Sequence, residues 1–355
     1  MRIAQISPLY ESVPPQLYGG TERVVHFLTE ELVRQGHDVT LFASGDSVTE
    51  AELVPVCPHS LRLDPDSVDA MAHHLLMLEQ VFRRADDFDV LHFHIDYLHF
   101  PLSRRYSRPN VTTLHGRLNI VDLVPLYREY TDMALVSISD AQRQPLPHAR
   151  WLATVHHGLP ADLFTLQPTP GRYLAFLGRI SPEKRVDRAI EIARRAGLPL
   201  RVAAKIDESD RAYFEGEIAP LFELPFVEYI GEIGESEKQA FLGGARALLF
   251  PIDWNEPFGL VMIEAMACGT PVIAWPGGSV AEVMDHGVTG FIVEEIDDAV
   301  EATRAVGTLD RRACREVFDQ RFTARRMARD YVTVYERLIS DNAEPPQTRQ
   351  SARVA

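Results

Sequence analysis

Residues 247–274 read ALLFPIDWNEPFGLVMIEAMACGTPVIA, and this stretch decides the fold class. The apolar run Ala247–Pro251 predicts a strand that is covered on both faces, as in a parallel sheet. A polar loop follows, and the apolar residues after it predict a helix that begins near Phe258 or Gly259. The run Val272–Ala274 then predicts a second strand. A helix that connects two buried strands is the unit from which parallel α/β sheets are built.

The same alternation of short apolar runs and longer amphipathic stretches extends over nearly the whole chain. Helical spacing is clear in Thr21–Gln35 and in Val186–Ala196, where apolar residues recur every three or four positions. Further strands are predicted at Ile3–Ser7, Asp38–Ala43, Val90–Ile95, Val111–Leu114, Ala134–Ile138, Tyr173–Leu177, Leu200–Ala204, Val227–Ile230 and Phe291–Val293. The proline-bearing stretch Phe164–Gly171 lacks an apolar period and separates two units of similar size. We therefore expect two parallel-sheet domains across a cleft, with ligands beyond the C-terminal strand ends.

The composition disfavours several classes of protein. The 355 residues contain 36 Lys and Arg against 51 Asp and Glu, a formal net charge of −15, which opposes general binding to nucleic acid or anionic lipid. Cys57, Cys268 and Cys314 lie far apart, so neither a zinc knuckle nor a disulfide framework is expected. The N-terminus does not read as a signal peptide, and no apolar run is long enough to span a membrane. The sequence therefore predicts a cytoplasmic protein without a transmembrane segment.

The first candidate phosphate-binding segment is a glycine pair. Gly19 and Gly20 end the loop after the first predicted strand and stand at the start of the first helix. Glycine lets the backbone approach a ligand closely, and the amides of a helix N-terminus bind anions. Such a pair is also common in simple turns, so this segment alone does not identify a site.

The second candidate segment, Phe176–Lys184 (FLGRISPEK), follows the first strand of the second unit. Its proline suits the first turn of a helix, and that position would place Lys184 in the same turn. A cation is disfavoured there unless an anion is nearby, so Arg179 and Lys184 are expected to converge on one negative group. The alternative is a surface ion pair with acids such as Glu183 or Asp187.

The third candidate segment lies inside the stretch quoted first. Glu256 is in the loop, and Glu264, eight positions later, is inside an otherwise apolar helix. The amides of Gly259 and Leu260 would point from the helix N-terminus toward a phosphate. Neither carboxylate has an adjacent basic residue in the sequence. Each is therefore expected either to pair across the core or to accept hydrogen bonds from ligand hydroxyls.

Three motifs together resemble glycosyltransferase family 4: FLGR with Lys184, EPFGLVMIE at residues 256–264, and GGSVAEV at residues 277–283. Members of that family are retaining, nucleotide-sugar-dependent enzymes with the GT-B fold, which consists of two Rossmann-like β/α/β domains facing across a cleft. The resemblance covers about residues 1–340. It implies that this chain is a hexosyltransferase.

The resemblance also implies a domain organisation. An N-terminal acceptor-binding domain would span residues 1–165, and a nucleotide-sugar-binding domain would span residues 171–320. A helix at residues 321–340 would cross back to the N-terminal domain. The polar, proline-bearing composition that follows predicts a disordered tail at residues 342–355.

Individual residues receive roles from the same resemblance. Arg179 and Lys184 would bind the donor diphosphate and neutralise charge on the leaving group. Glu256 would bind donor-sugar hydroxyls near the reacting carbon, Glu264 would accept hydrogen bonds from the ribose hydroxyls, and His115 matches the cleft histidine of the family. The other donor-binding residues would be Gly19, Gly20, Gly178, Ile233, Phe258, Gly259 and Leu260. The acceptor side is expected at Tyr18, His94 and Asp96.

The resemblance favours retention by a front-face mechanism, in which the leaving phosphate takes the proton of the acceptor hydroxyl. Arg179 and Lys184 would allow this departure without a metal, and Glu256 is the nearest nucleophile if a covalent route applies. Asp87-Phe-Asp89 and Asp64-Pro-Asp66 have the letters of a metal-binding Asp-x-Asp, but the first precedes a strand and the second is turn-like. We therefore expect no cofactor and no required metal.

Other hypotheses compete with this one. His92-Phe-His-Ile-Asp96 places three possible metal ligands on one strand face, as in a metallohydrolase. In the metallohydrolase motif, a His directly follows the Asp, whereas in this chain Tyr97 follows Asp96. We therefore expect His92 to be a core histidine rather than a metal ligand. No Gly-x-Gly-x-x-Gly motif follows a predicted strand, which opposes a dinucleotide oxidoreductase, and the Gly-Lys-Ser/Thr motif of a P-loop ATPase is absent from the sequence. A sugar-nucleotide epimerase of the same architecture and a non-catalytic sugar-nucleotide-binding protein remain alternatives.

The substrates are less constrained. UDP-glucose is the favoured donor and GDP-mannose the second choice. The GGTERVVH segment that begins at Gly19, with Gly45-Asp-Ser, resembles a bacterial subgroup described as UDP-glucose:tetrahydrobiopterin glucosyltransferase-like. The basic patch at Arg104–Arg108 is short, so the acceptor is expected to be a soluble small molecule or glycan rather than a lipid. Acceptor identity, linkage and oligomeric state stay open.

Overall fold

The N-terminal half of the chain folds around a seven-stranded sheet. The computed structural model describes residues 1–16 and 19–343. The strands are β1 (Arg2–Ile6), β2 (Asp38–Ala43), β3 (Glu52–Pro55), β4 (Val90–Phe93), β5 (Asn110–Thr113), β6 (Leu135–Ser137) and β7 (Trp151–Thr154). Their spatial order is β3-β2-β1-β4-β5-β6-β7, and every neighbouring pair is parallel. The order reverses between β1 and β4, which leaves a crevice beyond the C-terminal ends of these two strands.

The second half repeats this arrangement with six parallel strands. They are β8 (Tyr173–Arg179), β9 (Leu200–Lys205), β10 (Val227–Gly231), β11 (Ala245–Phe250), β12 (Val272–Ala274) and β13 (Gly290–Ile292). The spatial order is β10-β9-β8-β11-β12-β13, with the reversal between β8 and β11. The prediction of two Rossmann-like, parallel-sheet α/β domains is confirmed.

Helices connect the strands. The longer ones are α1 (Gly20–Arg34), α2 (Ala70–Arg83), α6 (Val186–Ala196), α9 (Glu235–Gly243), α10 (Leu260–Ala267), α12 (Ile296–Ala305), α13 (Arg311–Arg321) and α14 (Ala324–Ala343). Shorter α-helical segments are α3 (Phe100–Ser103), α4 (Leu123–Glu129), α5 (Asp140–Arg143), α7 (Arg211–Tyr213), α8 (Ala219–Phe222) and α11 (Val280–Val283), with a short π-helix at Phe214–Ile218. Four 3-10 turns lie at Ala85–Asp87, Pro182–Lys184, Glu208–Asp210 and Val306–Thr308.

Two strands, β3 and β7, and four of the longer helices, α2, α9, α12 and α13, were not predicted. Strands β3 and β7 lie at the edges of their sheet, and most of their residues are only half-buried, so they lack the continuous apolar run of a central strand. Helix α2 buries Met77, Leu78 and Val81 but leaves Leu75 and Leu76 exposed. Because apolar residues lie on both its buried and its exposed side, the sequence of α2 lacks the regular apolar spacing that predicts an amphipathic helix.

The C-terminal helical region differs from the single helix predicted at residues 321–340. It consists of α13 and α14, separated by a break at which the Ala324 N–H donates to the Leu159 carbonyl at 2.7 Å. Gly158 is needed at this contact, because a Cβ there would lie 2.3 Å from the Thr323 carbonyl oxygen. Beyond the break, α14 packs against α1 and β4, so the predicted return to the N-terminal domain is confirmed.

The last helix overlaps the start of the predicted disordered tail. Residues 342 and 343, predicted to be disordered, are the end of α14, and the rest of the predicted tail lies outside the described residues. In residues 1–16 and 19–343, no helix has the length and apolar character needed to cross a membrane.

Candidate active site

A cleft of about 720 Å³ lies between the two sheets. Its lining residues between positions 8 and 157, which we call the N-terminal wall, include those that follow β1, β4 and β5. Its lining residues between positions 177 and 264, the C-terminal wall, include those that follow β8 and β11 and the start of α10. The cleft therefore joins the crevices at the reversal points of both sheets, where ligands of such folds bind.

The residues that the sequence indicated as functional converge on this cleft. Those that line it are Gly19, Gly20, His94, Asp96, His115, Gly178, Arg179, Lys184, Ile233, Glu256, Phe258, Gly259, Leu260 and Glu264. Tyr18 lies outside the described residues.

Arg179 ends β8, and carboxylates surround its guanidinium group. It forms an ion pair with Glu183 and lies 3.6 Å from Asp207 and 3.4 Å from Asp210. The ion pair with Glu183, considered above as the alternative to phosphate binding, is therefore present, but it lies at the cleft. Asp187 pairs with Arg185 instead. The acids hold the Arg179 side chain in place at the edge of the cleft.

Lys184 does not lie in the first turn of a helix, contrary to the prediction. It ends a short 3-10 turn, and Arg185 then adopts a left-handed conformation with φ of 54° before α6 begins. The Lys184 ammonium lines the cleft, pairs with Glu256 and lies 4.9 Å from the centre of the Trp254 ring. Within the protein, Arg179 and Lys184 each have their own carboxylate partners, so their convergence on one negative group of a ligand stays a prediction. Both cations nevertheless face one cleft.

The loop that carries Glu256 is held on several sides. The Trp254 indole N–H donates to Glu256 Oε2 at 3.1 Å, which is the same oxygen that Lys184 contacts. The Ser279 N–H donates to the Glu256 carbonyl at 2.9 Å. A Cβ on Gly278 would lie 2.1 Å from that carbonyl, and Gly278 has φ of 59°, so glycine is required. The GGSVAEV motif at residues 277–283 therefore supports the Glu256 loop.

The N-terminus of α10 opens toward the cleft. The helix begins at Leu260, and Gly259 precedes it in a left-handed conformation with φ of 78°. Gly259, Leu260 and Val261 line the cleft. The first N–H groups of a helix have no partner within the helix, and the first turn of α10 contains no acidic side chain. These amides can therefore bind an anionic ligand.

Glu264, inside α10, is paired across the cleft. Its Oε1 lies 2.6 Å from Arg23 of α1 and 3.0 Å from Lys238 of α9. Arg23 also contacts Glu235 at 2.7 Å. Although burial opposes the charge, these two cations lower the pKa of Glu264 to about 2, so the carboxylate is ionised at neutral pH. The sequence left open whether Glu264 pairs with a cation or accepts hydrogen bonds from a ligand, and the structure shows that the ion pair is present.

Arg23 and Lys238 are functional candidates that the sequence reasoning missed. A lone carboxylate in an apolar helix signals that a cation must be near it, but does not tell which one. Arg23 falls on the charged side of α1 in the sequence pattern, yet its side chain is only 9% exposed because it faces the second domain. Only the packing of the domains reveals this contact.

Neutral histidines form the deep part of the N-terminal wall. His115 follows β5, and its Nε2 lies 2.8 Å from Nδ1 of His94. The ring of His157 stacks on that of His115, with centroids 5.3 Å apart. Burial lowers the pKa of His115 to about 3 and lowers that of His94 and His157 well below the ordinary value. All three rings are therefore uncharged at neutral pH.

Asp96 provides a carboxylate on the same wall. It follows β4 with φ of 51°, in the left-handed region that non-glycine residues rarely adopt. In the part of the chain that the structure describes, its side chain has no hydrogen bond and no ion pair, and desolvation raises its pKa to about 6. An unpaired carboxylate on strained backbone inside a cleft is typical of a functional residue.

The motif His92-Phe-His-Ile-Asp96 does not assemble as a metal site. His92 is fully buried and hydrogen-bonds Tyr335 and Thr113, His94 lies behind His115, and Asp96 faces the cleft. Residues 1–16 and 19–343 contain no group of three His, Cys, Asp or Glu side chains placed to hold a metal ion. The expectation that His92 is a core histidine is confirmed.

Comparison with known proteins assigns the family. A family model described as Glycosyltransferase Family 4 matches residues 18–156, and one described as Glycosyl transferases group 1 matches residues 164–311. The chain belongs to glycosyltransferase family 4. The enzyme is thus a hexosyltransferase with the GT-B fold. This assignment favours transfer over the epimerase and the non-catalytic binding protein considered from the sequence.

Individual relatives agree with the assignment. The glycogen synthase of Mycobacterium tuberculosis is 27% identical, in an alignment that covers 96% of this chain and 91% of the relative. The crystal structure of AviGT4, a glycosyltransferase involved in avilamycin A biosynthesis, is 25% identical with a TM-score of 0.75, covering 96% of this chain and 98% of its own. Anabaena HepE, solved in complex with UDP-glucose, shares the fold at 17% identity and a TM-score of 0.70, covering 95% and 100% of the two chains.

Proposed function

We propose that this glycosyltransferase transfers glucose from UDP-glucose to a hydroxyl of a soluble acceptor, with retention of configuration and without a metal or other cofactor. GDP-mannose is the second choice of donor. The observation that carries the proposal is the position of Arg179, Lys184 and the N-terminus of α10, all on the C-terminal wall. Two cations and a set of free amides on one wall match the charge of a diphosphate.

The donor diphosphate would lie between α10 and the two cations. The amides of Gly259 and Leu260 would donate to its oxygens, and Gly20 and Gly178 allow close approach of the backbone. A Cβ on Gly178 would meet no atom within 4 Å, so the space beside this glycine is open. Arg179 and Lys184 would stabilise the negative charge that grows on the leaving group, which removes the need for a metal.

The nucleoside would lie beside Glu264. Its Oε1 receives both Arg23 and Lys238, whereas its Oε2 accepts no hydrogen bond from the described residues. Oε2 can therefore accept hydrogen bonds from the ribose hydroxyls without breaking the ion pairs. The base would rest near Ile233, which lines the same wall.

The geometry of Glu256 favours the front-face route over a covalent intermediate. Lys184 and Trp254 both bind its Oε2, so the carboxylate is fixed as a hydrogen-bond acceptor for sugar hydroxyls. In the front-face step the bond between the anomeric carbon and the phosphate oxygen breaks, and the acceptor oxygen attacks from the same side. The proton of the acceptor hydroxyl passes to the departing phosphate oxygen. Configuration is then retained without a protein nucleophile.

The choice of donor is supported by a protein of the same fold, and the choice of acceptor site is supported by residues of the N-terminal wall. HepE, a protein of the same fold, was solved with UDP-glucose. Asp96 and His94 lie on the wall opposite the diphosphate, where an acceptor hydroxyl would have to approach. We further propose a cytoplasmic location, because Cys57, Cys268 and Cys314 are all buried free thiols, as expected in a reducing compartment.

A thermal-shift panel of UDP, GDP and ADP tests the donor site. A nucleotide at 100 times its Kd adds about 2.7 kcal/mol of stability, equivalent to several degrees in Tm for a chain of this size. UDP should give the largest shift, and the shift should persist with EDTA present. The proposal fails if no nucleotide raises Tm.

Hydrolysis of the donor tests retention before any acceptor is known. With UDP-glucose alone, water should replace the acceptor slowly, and proton NMR of the first product should show α-glucose. An initial β-glucose product would indicate inversion. Rapid formation of a sugar-nucleotide isomer would instead indicate an epimerase.

A further inference from the structure

A continuous path of hydrogen bonds leads from the cleft to the C-terminal helix. His115 Nε2 lies 2.8 Å from His94 Nδ1, and His94 Nε2 lies 2.8 Å from Gln5 Oε1. The Gln5 amide nitrogen donates to the Tyr335 hydroxyl of α14 at 3.1 Å. Gln5 and Tyr335 are fully buried, so water does not compete for these bonds.

The Gln5 carboxamide gives this path a direction. A neutral imidazole has one N–H donor and one acceptor nitrogen, whereas a carboxamide oxygen only accepts. Because Gln5 Oε1 accepts, His94 must carry its proton on Nε2, and its Nδ1 is an acceptor. His115 must then donate from Nε2, which leaves its Nδ1 without a proton.

The other side of the path agrees with this direction. The Tyr335 hydroxyl accepts from Gln5 and so can donate to His92 Nδ1, 2.6 Å away. His92 Nε2 then carries the proton and donates to Thr113 Oγ1 at 2.8 Å. Each group in the path therefore has a partner of the right kind.

The ionisation and the surroundings of the rings support the same arrangement. Burial lowers the pKa of His92, His94 and His115, so each ring has a single proton at neutral pH. Nδ1 of His115 is buried and has no hydrogen-bond partner in residues 1–16 and 19–343. The reverse direction would put an N–H at this position, and a buried N–H without an acceptor is less tolerated than an unpaired acceptor.

We propose that Gln5 and Tyr335 are positioning residues that fix the tautomer and the ring orientation of His115 at the cleft, with Nε2 protonated and the buried Nδ1 unprotonated. This gives α14 a role in the reaction besides packing. The effect on the reaction rests on the transfer proposed above, whereas the tautomer itself does not depend on it.

The tautomer is measured in the full chain without substrate. Long-range proton–nitrogen NMR on protein with ¹⁵N-labelled histidine separates protonated from unprotonated ring nitrogens, and His115→Gln identifies the His115 signals. At about pH 7, His115 should show a protonated Nε2 and an unprotonated Nδ1. Observation of a proton on Nδ1 in the unaltered protein would overturn the proposal.

Two variants interrupt the path at different points. Gln5→Met removes the group that defines the direction, and Tyr335→Phe removes only the hydroxyl that anchors it. Both should shift the His115 nitrogen signals toward a mixture of tautomers. The control is Ser103→Ala, which breaks a buried hydrogen bond of 2.6 Å to His99 outside the path and should leave the His115 signals unchanged. Unchanged His115 signals in Gln5→Met or Tyr335→Phe would contradict the proposal.

A kinetic measurement separates positioning from general damage. In Tyr335→Phe, kcat for UDP-glucose hydrolysis should fall about tenfold, the size of one neutral hydrogen bond, while the UDP thermal shift stays as in the unaltered protein. Equal losses of UDP binding and kcat would indicate a merely structural role. If the unaltered protein did not hydrolyse UDP-glucose, the transfer reaction would be in question, and the NMR result would still decide the tautomer.

Discussion

The two walls of the cleft hold their polar groups in opposite ways. On the C-terminal wall, Arg179, Lys184 and Glu264 are charged, and each is paired with an oppositely charged side chain. On the N-terminal wall, His94 and His115 are neutral because burial lowers their pKa, and a hydrogen bond links them. The C-terminal wall is therefore lined by ion pairs, whereas the histidines of the N-terminal wall are uncharged donors and acceptors, although Glu22, Arg23, Arg62, Asp96 and Arg117 also line that wall.

This difference suits each wall to a different part of the proposed reaction. A diphosphate needs compensating charge, and an ionic wall supplies it in a place where water is partly excluded. Sugar and acceptor hydroxyls need hydrogen bonds, and charged histidines facing them would compete for the diphosphate. In the proposed reaction, the neutral histidines would position hydroxyls while the charged wall would hold the leaving group.

The largest expected effect comes from removing the charges that face the leaving group. Arg179→Met and Lys184→Met keep the length of each side chain and remove its charge. Each should lower kcat for UDP-glucose hydrolysis about 100- to 1,000-fold, because one preorganised charge of this kind is worth about 3–4 kcal/mol. The release of UDP measures the rate.

The matched control for these variants is Arg194→Met. Arg194 pairs with Glu191 on the outer face of α6, and its side chain is 56% exposed. Its loss should leave kcat unchanged within the error of the assay. Turnover in Lys184→Met or Arg179→Met equal to that of this control would show that the charged wall does not act on the leaving group.

The next effect concerns the ion pair that crosses between the walls. The pKa of Glu264 is lowered from 4.5 to about 2, so the ionised carboxylate stabilises the folded state fully above pH 4.5. This shift corresponds to about 3 kcal/mol in the free energy of unfolding. Glu264→Gln should lose this contribution at pH 7, and its difference from the unaltered protein should shrink as the pH falls from 4.5 toward 2. Urea unfolding across this pH range measures it.

An exposed carboxylate of similar pKa provides the control. Glu191 pairs with Arg194 and Arg195 on the surface of α6, and these arginines lower its pKa to about 2 as well. Exposed pairs of this kind contribute about 0–1 kcal/mol, so Glu191→Gln should change the stability little. If Glu264→Gln and Glu191→Gln behaved alike, the contact with Arg23 would not be a strong link between the domains.

The C-terminal wall was also the more predictable of the two from sequence. Glu256, Gly259 and Glu264 come from one contiguous strand–loop–helix stretch, so their spacing alone indicates a site. The local conformation was less predictable: Lys184 precedes its helix because Arg185 takes a left-handed conformation that the residue type does not signal.

The N-terminal wall could be predicted only in part. His94, Asp96 and His115 follow buried strands and were placed on the cleft, but Gln5 and Tyr335 are 330 positions apart in the chain. Their hydrogen bond exists only because α14 returns to the first sheet. Likewise, the contact of Arg23 with Glu264 depends on how the domains face each other. Contacts between distant segments leave no local pattern in a single sequence.

The smallest expected effect concerns Asp96, an acidic residue that lines the N-terminal wall beside the neutral histidines. Its pKa is raised from 3.8 to about 6, so the ionised form that prevails at pH 7 to 8 destabilises the folded state relative to the neutral form. Asp96→Asn removes this cost and keeps a residue type that tolerates φ of 51°. Because the side chain is open to the cleft, the gain should be at most about 1 kcal/mol, or a few degrees in Tm.

The pH dependence of this gain distinguishes it from a packing effect. The Tm of Asp96→Asn should exceed that of the unaltered protein above about pH 6, and the difference should vanish below about pH 4, where both side chains are uncharged. Asp96→Ala should lose part of the gain, since alanine is strained at this backbone angle. An Asp96→Asn variant with the same Tm as the unaltered protein at every pH would mean that the carboxylate is fully hydrated. Asp96 would then offer no desolvated carboxylate to an acceptor hydroxyl, and the acceptor side would have to be sought elsewhere in the cleft.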